Sequence, residues 1–187
     1  ACMRAKMQRK GAYRNHKGQQ EAKRFGDLVM CDHFITETIL DEGFDGERCA
    51  LVLYDYATKW IQCIPLKNKT AESTLRAIEE FRGRNKIALL YSDNSKEIIK
   101  AAEDLKLVHA TSTPYRPESN GIAERAVRKV VEGTRVILLC AGMDCKWWPL
   151  AAECWAFHAT TRIVDGDSAW NRRHKDGHFK GLRVPLG

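Results

Sequence analysis

The sequence predicts an α/β domain built on a five-stranded mixed sheet with helices on both faces. Three observations lead there. Short apolar runs and helical periods alternate as three strands, helix, strand, helix, strand, helix, helix, an order that places helices against a sheet. The connection Tyr56–Lys59 between the second and third runs is only long enough for an antiparallel hairpin. The later runs alternate with helical periods, which implies a mixed sheet with helices packed on its faces.

Residues 1–26 are polar and basic with little periodicity, and are expected to form an extended or poorly ordered arm. The first strand runs from Asp27 to Ile35 and carries Asp32 inside an apolar run. Residues 37–47, with Gly43 and Gly46, read as a turn. Cys49–Asp55 and Trp60–Leu66 are the second and third strands. Thr70 is placed as the N-cap of a helix through Phe81, with Ala71, Leu75, Ile78 and Phe81 on one face. Lys86–Tyr91 is the fourth strand, Lys96–Lys106 a short helix and Leu107–Thr111 the fifth strand. A loop punctuated by Pro114, Pro117 and Gly121 leads into a helix over about 119–140, with Ala123, Val127, Val130, Thr134 and Ile137 as its packing stripe. Gly142 is the expected stop, followed by a helix over about 147–163 and, from Asp165, a polar departing tail with no helical period. The expected domains are therefore an arm (1–26), a core (27–163) and a tail (164–187).

At 187 residues the chain is long enough for one domain with a full core. No apolar run approaches the roughly 20 residues that span a bilayer, so no membrane partner is expected. The net charge of +7 is uneven: residues 1–26 hold eight Lys/Arg and one acid, and residues 27–164 hold 18 basic and 20 acidic residues. A basic arm suits salt-sensitive phosphate contact; a solvated tail is an equally good reading of the same composition. Seven cysteines, an odd number with no C-x-x-C pair, point to buried reduced thiols and an intracellular setting rather than a disulfide framework. The first residue is not Met, which suggests a piece of something longer.

Three carboxylates stand where they can converge: Asp32 within a strand, Asp93 at the end of one, and Glu124 in the first turn of the long helix. Each alone has an ordinary structural reading, as a satisfied core acid, a turn residue or a helix-dipole partner. Together they repel; one pair about 4 Å apart costs about 4 kcal/mol at an effective dielectric near 20, and a divalent cation turns that penalty into affinity. Asp55, a fourth acid at a strand end, reads as a turn cap in preference to a ligand. His33 falls on the opposite strand face from Asp32, and His109 reads as structural. His16 lies in the arm without a second ligand. Trp147, Trp148 and Trp155 read as core or interface packing.

The run Ser92-Asp93-Asn94-x-x-Glu97 followed by Ser112-Thr113-Pro114-Tyr115-x-Pro117-x-Ser119-Asn120-Gly121-x-Ala123-Glu124-Arg125 resembles the catalytic core of retroviral and retrotransposon integrases, the copia-type branch most of all. Leu53–Trp60, Trp148-Pro149-x-Ala151-Ala152 and the tail around Ser168, Arg172 and Phe179-Lys180-Gly181 extend the resemblance. It implies an RNase H-like fold and an Asp-Asp-Glu polynucleotidyl transferase that joins element cDNA to target DNA. Asp32, Asp93 and Glu124 match the catalytic and metal-binding acids, with two Mg²⁺ (or Mn²⁺) ions as cofactors. Arg128 matches a DNA-contacting position, Arg125 and Lys129 flank it, and Tyr115 and Asn120 fall on the active-site loop. DNA and further copies of the chain are the implied partners, the copies meeting through helical faces. The nucleus is the implied place of action, after assembly in cytoplasmic particles. Cys2 and Lys6 resemble the end of an upstream zinc-binding module whose other ligands lie outside this sequence, so no zinc is expected in this fragment. Two features depart from the family pattern: only 30 residues separate Asp93 from Glu124, and Ser95 stands where glycine is usual. They leave two alternatives, a catalytically decayed or host-adopted DNA-binding or assembly module of the same fold, and an RNase H-like nuclease that cuts without joining.

Overall fold

The computed structural model describes residues 22–36, 42–111, 121–184 and 186. Five strands form its main sheet: Val29–Ile35 (β1), Cys49–Asp55 (β2), Ile61–Leu66 (β3), Leu90–Ser92 (β4) and His109–Thr111 (β5), in the order β3-β2-β1-β4-β5. The first three make an antiparallel meander. β4 pairs in parallel with β1, and β5 in parallel with β4, so the sheet is mixed.

Helices cover both faces. Ala71–Arg82 (α1) and Lys96–Asp104 (α2) enclose one core with Val29, Cys31, Leu51 and Leu53. Gly121–Ala141 (α3) and Trp148–Thr161 (α4) enclose the other with Ala50, Val52, Ile61 and Cys63. β2 supplies both cores from alternate residues, which is why it reads as a continuous apolar run. Thr70 caps α1 as expected, its side chain accepting from the Ser73 N–H at 3.2 Å.

Two strands are shorter than their apolar runs. The fourth was expected over 86–91 and is Leu90–Ser92, because the segment before it is held by the entry to β1: the Ala88 N–H donates to the Gly26 carbonyl at 2.8 Å. Gly26 sits at φ +90, and a Cβ there would fall on the Lys86 carbonyl, so this crossing requires glycine. The fifth was expected over 107–111 and is His109–Thr111, since the Leu107 N–H is taken by the Ala102 carbonyl closing α2.

The chain after Asp165 is not a departing tail. Ile163–Val164 (β6) and Asp167–Ser168 (β7) form a small hairpin leading into Ala169–His174 (α5). Ser168 caps α5 through its Oγ, which accepts from the Asn171 N–H at 3.1 Å. Trp170 packs against Trp60 and Phe179, with ring centroids 5.9 and 4.9 Å away. A helix of six residues held by aromatic and cationic side chains has too few turns to show an apolar period. The basic arm lies outside the described residues up to position 21. Its last part already belongs to the core, with Phe25 against Phe81 at 5.3 Å.

Candidate active site

Asp32 and Asp93 come together because β1 and β4 run in parallel. Val29 pairs with Leu90 and Met30 with Tyr91; two residues further on, the same register sets Asp32 beside Asp93. Side chains alternate along a strand, so with Val29 and Cys31 turned to the α1–α2 core, Asp32 faces the α3 side. α3 packs on β1 and β2 and carries Glu124 in its first turn. The Asp32 carboxyl registers all of this. Burial, then the charge of Asp93, with a smaller contribution from Glu124, push it up to about 6; a hydrogen bond from the His33 N–H and the charge of Lys69 oppose them.

The turn after β4 is built around Asp93. Its Oδ1 accepts from the Ser95 N–H at 3.1 Å, and the Ser95 hydroxyl donates to Glu97 Oε2 at 2.7 Å. Lys69, from the loop before α1, brings its Nζ within 3.9 Å of the same Glu97 oxygen. Ser95 has φ −63 and ψ 122, ordinary extended backbone, so this turn needs no glycine and the serine introduces no strain. The Lys69–Glu97–Ser95 chain supporting Asp93 was not foreseen. Lys69 and Glu97 are far apart in sequence, and only the placement of α2 beside the start of α1 brings them together.

Arg125, Arg128 and Lys129 are exposed along α3 beyond Glu124, itself exposed. Tyr115 and Asn120 lie outside the described residues, as do Cys2 and His16. Asp55 is a cap, as its position suggested: fully buried, it accepts from the Gly26 N–H at 2.9 Å and from the Thr58 N–H and hydroxyl at 2.7 and 2.6 Å. His33 turns to α1, its Nε2 3.2 Å from Thr74 Oγ1. His109 sits 2.9 Å from Ser92 Oγ and serves the β4–β5 pair.

The donor chemistry suits a hard divalent cation, since it offers carboxylate oxygens that repel one another until a positive charge is placed among them. The spacing is looser than a finished cage: among the described residues no group of three His, Cys, Asp or Glu side chains is gathered closely enough to hold a metal ion. Of the two other acids, Asp93 bears more strongly on Asp32 than Glu124 does.

No protein-family model matches the chain. The retrovirus-related Pol polyprotein from transposon RE2 of Arabidopsis thaliana is 32% identical over 114 residues, which is 57% of this chain and 8% of that polyprotein. The Pro-Pol polyprotein of feline foamy virus is 27% identical over 125 residues, 64% of this chain and 11% of the relative. The chain thus spans about a tenth of the length of these relatives. The catalytic core domain of BIV integrase superposes with a TM-score of 0.57 at 16% identity, covering 78% of this chain and 92% of that one. The HTLV-2 integrase catalytic core domain, solved in complex with magnesium in a trimeric form, gives 0.59 at 16% identity, covering 81% and 98%. Over about half its length the chain is similar to retrovirus-related Pol polyproteins of plant transposons, and its fold is the RNase H-like fold of the integrase catalytic cores.

Proposed function

We propose that this chain is an integrase catalytic core that joins the ends of element cDNA to target DNA, with Asp32, Asp93 and Glu124 as the acids that hold two Mg²⁺ or Mn²⁺ ions. One observation carries the reading: the charges of Asp93, after β4, and Glu124, in the first turn of α3, both bear on Asp32 of β1. Bound there, the divalent pair supplies an activated water or 3′-hydroxyl and a stabilised leaving oxygen for in-line displacement at phosphorus. The chain's own part is to orient and to neutralise. Asp32, which feels the charge of both Asp93 and Glu124, would hold the ions together with them. The Ser95 N–H fixes one Asp93 oxygen and leaves the other for a ligand. Arg125, Arg128 and Lys129 line the approach along α3 as phosphate contacts, and Tyr115 and Asn120, which lie outside the described residues, join them as DNA contacts on the resemblance to integrase cores. The chain acts as a homo-oligomer in the nucleus, after assembly in cytoplasmic particles.

The test is strand transfer by the chain, alone and within a longer polyprotein segment, comparing wild type with Glu124→Gln. Joining is expected to fall at least a hundredfold, and equal joining overturns the role of Glu124. The looser spacing of the trio favours a second reading, an assembly module that keeps the fold without the chemistry. Calorimetric titration with Mn²⁺ separates the two, since binding lost in Asp32→Asn belongs to the catalytic reading alone. A chain that nicks DNA but never joins it is instead a nuclease.

A further inference from the structure

A groove of about 680 Å³ opens between α3, α4, the β2–β3 turn and the β6–β7 hairpin, and none of the carboxylate trio lines it. Its volume is that of a ligand site (about 300–1,000 Å³), but its lining is cationic. Lys59, Lys129, Arg162 and Arg172 face it, against two acids, Asp165 and Asp167. Asp167 is already engaged, with Arg172 Nε at 3.3 Å and the Asn171 amide at 2.9 Å. Lys59 is fixed in left-handed backbone at φ 64. Its Nζ donates to the Tyr56 carbonyl at 2.7 Å and lies 4.2 Å from the centre of the Tyr56 ring. Burial and the neighbouring Arg172 guanidinium both work against its charge. Like charges crowded at one wall are relieved by an anion.

The polymer, rather than a free anion, follows from what the groove continues. Lys129 lies five residues beyond Glu124 on α3, about 7.5 Å along the axis at about 1.5 Å per residue, or roughly two nucleotide steps of about 3.4 Å on one strand. The Tyr54 hydroxyl, in the groove wall, lies in the field of Arg172 from inside the groove and of Arg125 from the α3 track. Lys129 belongs both to the exposed cations of α3 and to the groove wall, so the two join there in one path that runs on to Arg162 at the end of α4. Trp155 and Tyr54 give that path flat aromatic surface, which suits bases and sugars.

We propose that this groove binds the sugar-phosphate backbone of DNA leading away from the carboxylate trio, with Lys59 and Arg162 as contacts beyond α3. The identity of the polymer rests on the proposed function; the existence of a phosphate site does not.

The measurement is fluorescence anisotropy of an end-labelled DNA duplex with the full chain, free of divalent ions, across about 50–200 mM KCl. Lys59→Gln/Arg162→Gln, both off α3, is compared with wild type, with single Arg162→Gln, exposed at the end of α4, and with charge-retaining Lys59→Arg/Arg162→Lys. Melting of each variant is followed to confirm folding. If the double variant does not fold, single Arg162→Gln alone decides. The double variant is expected to bind about tenfold more weakly at the midpoint of the salt range, with a salt slope shallower by about 2, each lost phosphate contact removing about 0.9; the charge-retaining pair recovers most of it. Affinity and slope unchanged from wild type overturn the groove. So does displacement of the duplex by polyglutamate at equal charge concentration, which makes the groove an acidic-peptide site. Joining by Glu124→Gln, read in parallel, addresses the catalytic acids only, so either idea can fall while the other stands.

Discussion

Asp32 and His33 are neighbours on opposite faces of β1, and the fold moves their protons in opposite senses. Asp32 is pushed up to about 6 by burial and then by Asp93. His33 is driven down to about 4 by burial and then by Lys69. The Thr74 hydroxyl donates to the Thr70 carbonyl at 2.7 Å, so His33 Nε2–H donates to Thr74 Oγ1, and the buried Nδ1 has no hydrogen-bond partner among the described residues. An acid whose folded pKa is raised stabilises the fold in full below its unfolded value, near 4, and loses that stabilisation as pH rises through about 6. A histidine whose folded pKa is lowered stabilises above its unfolded value, near 6.5, and loses it as pH falls through about 4. The two slopes oppose each other over nearly the same window. Asp32→Asn removes only the first. Its stability is expected to match wild type at pH 4 and to exceed it by about 2 kcal/mol at pH 7.5, read from urea unfolding without divalent ions. Mn²⁺ then raises the melting temperature of wild type and not of the variant. An advantage independent of pH would mean that Asp32 is not held in a repulsive site.

At the scale of elements, periodicity located the helices from α1 to α4 but not always the residue that sets their contact. The stripe on α3 was legible in Ala123, Val130 and Thr134, all buried as expected. α4 approaches closely at Gly133, where a Cβ would fall on the indole ring of Trp155. A helical glycine carries no sign of what it faces, so that contact was invisible until α4 was placed. Sequence marked Ser95 as a departure, yet its backbone shows an ordinary turn, because a family pattern records which residue is usual and not which dihedrals are required. Gly133→Ala weighs two effects. Alanine improves helix propensity by about 1 kcal/mol, while overpacking a close interhelical contact costs about 1–3 kcal/mol. The obstacle is a ring rather than the free end of a flexible chain, so the steric term is the larger. A net loss of about 1 kcal/mol is expected, with Trp155 fluorescence shifting toward exposed values; a gain in stability would show that the indole turns aside freely.

The whole molecule closes on itself where the sequence seemed to have ended. Phe25, at the end of the basic arm, and Arg173, on α5, meet across Trp60 and Phe81: the guanidinium carbon of Arg173 lies 3.9 Å from the centre of Phe25 and 4.3 Å from that of Trp60. Its Nη2 donates to the Phe81 carbonyl at 3.0 Å. Nothing local announces this, since Phe25 sits in a charged stretch and Arg173 in a polar one. Their partnership exists only once β3 and α1 stand between them. Desolvation works against the guanidinium, lowering its pKa to about 10, so it stays charged at neutral pH against the aromatic faces that favour it. Arg173→Ala loses those contacts and the carbonyl bond, and it leaves a gap among three rings. The expected destabilisation is about 2–3 kcal/mol in urea unfolding, of which Arg173→Lys recovers less than half, because an ammonium cannot lie flat on two rings. A chain ending at residue 163 is expected to be at least as unstable as Arg173→Ala. If that shortened chain unfolds at the same urea concentration as the full one, the segment after Ile163 is an attachment to the core and not part of it.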